Sequence, residues 1–222
     1  MKKTPKPGDR IVWALGRAAE SHVRNQFISA RQYHGILGNW SCPCGLVRSG
    51  YHNPQEVCDR CGASASIYGE LTLRDSELPL IGNPDLLFTT VSGAIRVVEI
   101  KSLNQREFIQ LHKPKPDHVL QAWLYVRLIQ RNPHLVGMRS ADETPLIVYV
   151  CKDYAFTPYK EFQAPWSESI ETSLTLALKK VADVLAWSRE ETTLPRKLQV
   201  CQTQESPTAK QCPLCARCFA HD

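Results

Sequence analysis

The chain has 222 residues, 43% of them apolar and 22% charged, which suits a globular protein with a real core and excludes collagen-like, coiled-coil and disordered chains. Lysine and arginine number 27 against 22 aspartates and glutamates, so the formal charge of +5 is compatible with a polyanionic partner without singling one out. The nine cysteines are a high count for this length, and they are clustered. Met1-Lys2-Lys3 is followed by Thr4-Pro5-Lys6-Pro7-Gly8, not by the apolar region of a signal peptide. No apolar run reaches the roughly 18 residues of a membrane span. The expectation is a cytoplasmic, intracellular protein with no membrane partner, whose paired cysteines bind metal rather than form disulfides.

In chain order, residues 11–37 read as one helix, with Ile11, Leu15, Ala18, Ala19, Val23 and Phe27 on an apolar face and Asp9 as N-cap. Residues 38–66, rich in Gly, Pro and Ser, read as a small insert. Ile67, Gly69, Leu71 and Leu73 then alternate as a strand. Residues 85–90 and 94–101 form two more strands around a Ser92-Gly93 turn, a hairpin. Asp117 caps a helix over 118–130. Residues 146–151 are a buried strand ending on Cys151, a core thiol, and 159–163 a shorter strand. Residues 166–187 form a long amphipathic helix capped by Ser167, and a tail follows from Glu191. This order gives the α/β class: helix, three strands, helix, strand, then a last helix and tail.

The cysteines fall into two groups. Cys42-Pro43-Cys44-Gly45 and Cys58-Asp59-Arg60-Cys61-Gly62 resemble two zinc knuckles, where a glycine after each pair lets the backbone turn its amides toward the thiolates. Four soft thiolates suit tetrahedral zinc. The zinc either only orders the insert or also shapes a nucleic-acid-contacting flap. For the flap, Trp40, Arg48, Tyr51, His52 and Arg60 supply aromatic and basic side chains. The second group, Cys201, Cys212, Cys215 and Cys218, suits zinc or a [4Fe–4S] cluster, and spacing does not decide between them.

The chemistry lies elsewhere, in Gly82-Asn83-Pro84-Asp85 and Glu99-Ile100-Lys101. Strand side chains alternate, so Glu99 and Lys101 share a face while Ile100 points into the core. A hairpin can bring Asp85 at the start of one strand to Glu99 on the other. Two carboxylates and a backbone carbonyl are hard oxygen ligands for Mg²⁺ or Mn²⁺. A lysine beside them can hold a water or stabilise charge on an attacked phosphate. Taken alone, Glu-x-Lys is usually a solvated ion pair; the apolar Val97, Val98 and Ile100 around it argue for a buried strand, where charges need partners. Gly16-Arg17-Ala18-Ala19-Glu20 lies on the first helix. Gln121 and Tyr125 lie one turn apart on the helix after the hairpin.

These four elements, in this order over residues 11–151, resemble the PD-(D/E)xK nuclease superfamily. The likeness is to its RecB-type branch, which includes helicase-linked nuclease domains, CRISPR-associated adaptation nucleases and phage recombination exonucleases. The resemblance implies a restriction-endonuclease-like core; with the zinc-binding insert over 38–66 and the metal-cluster tail over 191–222 read from the cysteines, the whole chain is expected to be one nuclease domain. It implies a divalent-metal-dependent deoxyribonuclease, an exonuclease of DNA recombination, repair or defence, working with a helicase, recombinase or CRISPR-adaptation partner. Asp85, Glu99 and the Ile100 carbonyl would bind Mg²⁺ or Mn²⁺, with Lys101 orienting or activating the water. Glu20 would assist metal binding, and Gln121 and Tyr125 would hold DNA or the lysine. Apart from the resemblance, Arg17, Arg48 and Arg60 are the candidate nucleic-acid contacts. Many RecB-type members carry His where this chain has Glu20, which favours the glutamate-bearing relatives. The resemblance also favours iron–sulfur over zinc for the last four cysteines, although Cys201 follows the core where the family's first cluster cysteine precedes it. The alternative is a non-catalytic, zinc-bearing nucleic-acid-binding or assembly subunit on the same fold.

Overall fold

The computed structural model describes residues 7–30, 35–52, 57–63, 67–132, 144–153, 159–190, 203–211 and 219. The chain divides into two compact units, Lys6–Leu176 and a second made of Met1–Pro5 with Ala177–Asp222. The sequence suggests one domain with a tail from 191; the second unit instead begins inside a helix. Cys201, Cys212, Cys215 and Cys218, expected to carry a cluster or zinc, lie outside the described residues.

The first unit is mixed α/β. Its elements are α1 (Pro7–Ser29), β1 (Ile36–Ser41), β2 (Val47–His52), β3 (Ile67–Gly69), β4 (Leu73–Arg74), β5 (Ile81–Gly82), β6 (Leu86–Thr89), β7 (Ile95–Leu103), α2 (Gln105–Gln110), α3 (Pro116–Gln130), β8 (Leu146–Cys151) and β9 (Tyr159–Gln163). The helix α4 (Glu168–Glu190) begins there and runs into the second unit, which also holds α5 (Pro207–Gln211). The sheet runs β2-β1-β6-β7-β8-β9, with β3 also on β1, and β4 and β5 form a separate ribbon. All pairings are antiparallel except β7 with β8. That parallel pair requires a crossover, and α2 and α3 supply it.

Alternation along β6 and β7 sends apolar side chains to both faces. Leu86, Phe88, Val98 and Ile100 pack with Val23 of α1. Leu87, Ile95 and Val97 pack with Trp123, Val126 and Ile129 of α3. The β6–β7 hairpin forms where expected, with Gly93 at φ 84° closing the turn. Cys151 is a buried core thiol at the end of β8. No helix among the described residues is long and apolar enough to cross a membrane.

Four expectations need correction. The first helix ends at Ser29, not 37, and starts at Pro7, so Asp9 lies inside it. Ile36 and Leu37 continue the helical spacing of Ile28, but they pair with Phe88 and Leu87 in the sheet. Residues 38–41 therefore belong to the main sheet rather than to an insert. Gly38 permits this: a Cβ there would stand 2.2 Å from the Tyr68 ring. Residues 67–73 are not one strand, because β3 pairs with β1 while β4 joins β5. Asp117 lies in the first turn of α3, whose cap is Lys115 with no side-chain bond. The short α2 is unanticipated; Asn104 caps it by accepting from the Glu107 amide at 2.9 Å. Ser167 does cap α4, accepting from Ile170 N–H.

Lys160 on β9 closes the other end of α2. Its Nζ donates to the carbonyls of Phe108, Ile109 and Leu111 at 2.7, 3.3 and 2.9 Å, the acceptors exposed at a helix C-terminus. Lys160→Met keeps the stem over Phe108 and removes the donors. It is expected to cost about 1–3 kcal/mol in denaturant unfolding; an unchanged midpoint would contradict this role.

Candidate active site

The last pairing of β6 is Leu86 with Val98, so β7 runs on past it with that edge open. Asp85 fills the opening: its Oδ2 accepts the Ile100 amide at 2.7 Å. In extended backbone the N–H and C=O of one residue project to the same side, so the Ile100 carbonyl faces the Asp85 edge as well. Glu99 and Lys101 follow Ile95 and Val97 onto the α3 face. Their side chains are in contact, Lys101 Nζ on Glu99 Oε1.

Glu99 is only 2% exposed, and its other oxygen, Oε2, is buried with no hydrogen-bond partner among the described residues. An unmatched buried carboxylate oxygen is costly. Burial pushes the Glu99 carboxyl up to about 8, with Asp85 adding to the rise against the pull of Lys101. Burial likewise raises Asp85 to about 6, opposed by the Ile100 amide and Lys101, while Glu70 and Glu20 push it further up. Two neighbouring buried carboxyls thus resist ionising together. A nearby cation would relieve that state, and Asp85, Glu99 and the Ile100 carbonyl are hard oxygen donors that could take part in holding one.

The first-helix motif reaches this place from the opposite face. Glu20 Oε1 accepts from Ser102 Oγ at 3.1 Å, and a Cβ on Gly16 would stand 2.8 Å from that same Oγ. Gly16 is therefore what lets α1 close on β7. His22 is exposed on α1. On α3, Gln121 Nε2 donates to Tyr125 OH at 2.8 Å. Burial raises the Tyr125 hydroxyl to about 12, and the charge of Glu99 acts in the same direction. Gly82 accommodates that ring, since a Cβ would stand 2.7 Å from Tyr125 Cε1. The structure thus brings Glu20, Asp85, Glu99, Lys101, Gln121 and Tyr125 around the end of β6.

Glu70, just past β3, was not foreseen. Both β6 and β3 pair with β1, by Leu37 and Asn39 respectively, which leads residue 70 alongside Asp85. Its charge raises Asp85, Tyr68 and Tyr125. Arg24 of α1 holds it at 2.7 Å. No local pattern marks Glu70; its place comes from the sheet.

The second feature is the four-cysteine group. The sulfurs of Cys42, Cys44, Cys58 and Cys61 lie within 4.8 Å of one another, with Cys42–Cys61 at 3.4 Å and Cys44–Cys58 at 3.8 Å. Tetrahedral zinc at about 2.3 Å from each sulfur would set them about 3.8 Å apart, so the group fits zinc. Each pair sits on a tight turn, with Gly45 N–H donating to Cys42 O and Gly62 N–H to Cys58 O. Both glycines have positive φ, 84° and 70°. The Arg60 amide leads in drawing the Cys58 thiol down to about 6. The Cys44 amide pulls on Cys42 too, but burial and the other sulfurs win and hold it up at about 12. Four adjacent thiols cannot all ionise without a cation.

The expected nucleic-acid contacts fare unevenly. Arg17 is exposed on α1 and Arg60 in the second cysteine turn. Arg48 is engaged by Asp59, an ion pair that ties β2 to that turn. Trp40 is no stacking platform: it is 4% exposed and packs edge-on against Tyr68 with centroids 5.3 Å apart.

No family model and no curated protein matches the chain. Among solved structures, the crystal structure of SSO0001 is similar at 16% identity, over 65% of this chain and 57% of that one, with a TM-score of 0.29. The chain thus spans a little over half the length of that neighbour, and a likeness at this level carries no argument about fold or function.

Proposed function

We propose that this chain is a divalent-metal-dependent deoxyribonuclease with a restriction-endonuclease-like core. The observation that carries the reading is the Glu99 carboxylate, buried with one oxygen unmatched, next to a buried Asp85 and touching Lys101. Asp85, Glu99 and the Ile100 carbonyl would hold Mg²⁺ or Mn²⁺. When bound, such an ion polarises a phosphate oxygen and lowers the pKa of a coordinated water. Asp85 is locked in place by the Ile100 amide, so it is preorganised for that task. Lys101, on the same face as Glu99, holds the attacking water and offsets charge building on the phosphate. Glu20, fixed by Ser102, adds a further carboxylate from α1. Gln121 and Tyr125, bonded to each other, place polar groups along the α3 side for the strand being cut.

The four-cysteine turns have a supporting role in this reading. The Cys42 turn closes the β1–β2 ribbon and the Cys58 turn follows β2, and β1 in turn pairs with β6, which leads back to Asp85. The purified chain is expected to cleave end-labelled single- or double-stranded DNA with Mn²⁺ and not with EDTA. Binding without cleavage under all metal conditions would instead make it a zinc-bearing binding or assembly subunit.

A further inference from the structure

Gln121 and Tyr125 are not alone on their stripe of α3. His118 stands three residues before Gln121 and seven before Tyr125, the spacing that stacks side chains on one helix face. Beneath it is Tyr149 of β8, wholly buried and in register with Lys101. The Tyr149 oxygen accepts the Lys115 amide at 2.9 Å. The same oxygen lies 2.8 Å from His118 Nδ1, and the two rings are 5.5 Å apart at a tilt of 34°.

This network assigns the histidine's proton. The Tyr149 hydroxyl has one hydrogen to donate, and among the described residues Nδ1 is the acceptor within reach; with Nδ1 accepting, the imidazole proton belongs on Nε2. Nε2 is 3.9 Å from the exposed carboxylate of Asp117, beyond hydrogen-bond range. The ring is thus held from one side while its other nitrogen has no hydrogen-bond partner among the described residues. Burial lowers the imidazole below its ordinary range; Asp117 opposes this, while the charges of Lys101 and Lys115 act in the same direction as burial. A donor fixed by a buried partner, beside two lysines and on the stripe of Gln121 and Tyr125, suits an anionic oxygen.

We propose that His118 binds the substrate, its Nε2–H donating to a backbone phosphate next to the one being cleaved. This rests on the nuclease reading above and adds a contact to the same site. The bland alternative is a histidine that only packs on Tyr149.

The test is steady-state cleavage of a fluorescein-labelled DNA by the full chain and its variants. His118→Ala is expected to raise KM about tenfold, the scale of a hydrogen bond to a charged group, with kcat within about threefold. His118→Gln keeps a donor near the Nε2 position and is expected to recover most of that loss. Tyr149→Phe leaves the packing but releases Nδ1, and its KM should fall between wild type and His118→Ala. An unaltered KM in His118→Ala overturns the proposal while leaving the nuclease reading intact. So does a fall in kcat at constant KM that glutamine does not restore, which marks a structural role. If the wild-type chain neither cleaves nor binds DNA, both readings fall together.

Discussion

Glu99→Gln is expected to abolish cleavage and, in the metal-free protein at pH 8, to raise the melting temperature. The two effects have one cause. In the unfolded chain the Glu99 carboxyl ionises near its ordinary 4.5, and in the folded protein at about 8, because burial and Asp85 outweigh Lys101. Below pH 4.5 the group is neutral in both states and costs nothing. Between 4.5 and 8 the unfolded chain gives up a proton that the folded chain keeps, so stability falls as pH rises. Above 8 the full cost is carried. Glutamine never ionises, so the gain should be absent near pH 4.5 and largest at pH 8. The rise from 4.5 to about 8 puts it on the order of 4 kcal/mol, or about 8–16 °C for a unit of this size. Mn²⁺ should stabilise wild type at pH 8 and do little for the variant. Differential scanning calorimetry at pH 4.5 and 8, with and without Mn²⁺, checks all of this. A variant less stable than wild type at pH 8 would remove the argument that Glu99 is held in place for a cation.

Loss of a cysteine from the four-sulfur group should have the second large effect. A small turn pair with little core of its own depends on its metal, and binding free energy is folding free energy there. The consequence extends beyond the turns, because β1 carries Ile36 and Leu37 into the central sheet. Cys61→Ser is expected to release one equivalent of zinc and to lower the melting temperature by on the order of 10 °C. Cys151→Ser, in the buried end of β8, should leave zinc content unchanged. Elemental analysis of the three purified proteins decides it, and a Cys61→Ser protein with the full zinc content would show that the group is not a zinc site.

What could be read beforehand depended on how local the cause is. The β6–β7 hairpin was legible because its period-two pattern and its Ser92-Gly93 turn are contiguous in the chain. With it came the convergence of Asp85 and Glu99. The pairing of Gln121 with Tyr125 followed from helical spacing alone, as did the grouping of the first four cysteines from their paired turns. The end of α1 was not legible, because Ile36 and Leu37 fit the helical period and only their pairing with β6 shows them to be strand. Glu70 was invisible for a related reason: it reaches Asp85 because two strands meet one edge of β1. The exposure of Trp40 was misjudged since a tryptophan beside basic residues reads as a platform, whereas Tyr68 from a distant strand buries it. His118 passed as an ordinary residue of a helix start, and its meaning comes from Tyr149 on another strand.

The most direct measurement is the Mn²⁺-dependent rate at which end-labelled DNA is cut by wild type and by Lys101→Ala, each first shown to be folded. Lys101 touches Glu99, which is itself able to hold a proton, so its removal should leave the fold standing. The wild-type protein is expected to cleave with Mn²⁺ and fall silent with EDTA, and Lys101→Ala to lose at least about a thousandfold in rate. A folded Lys101→Ala protein that cuts DNA as fast as wild type would contradict the account.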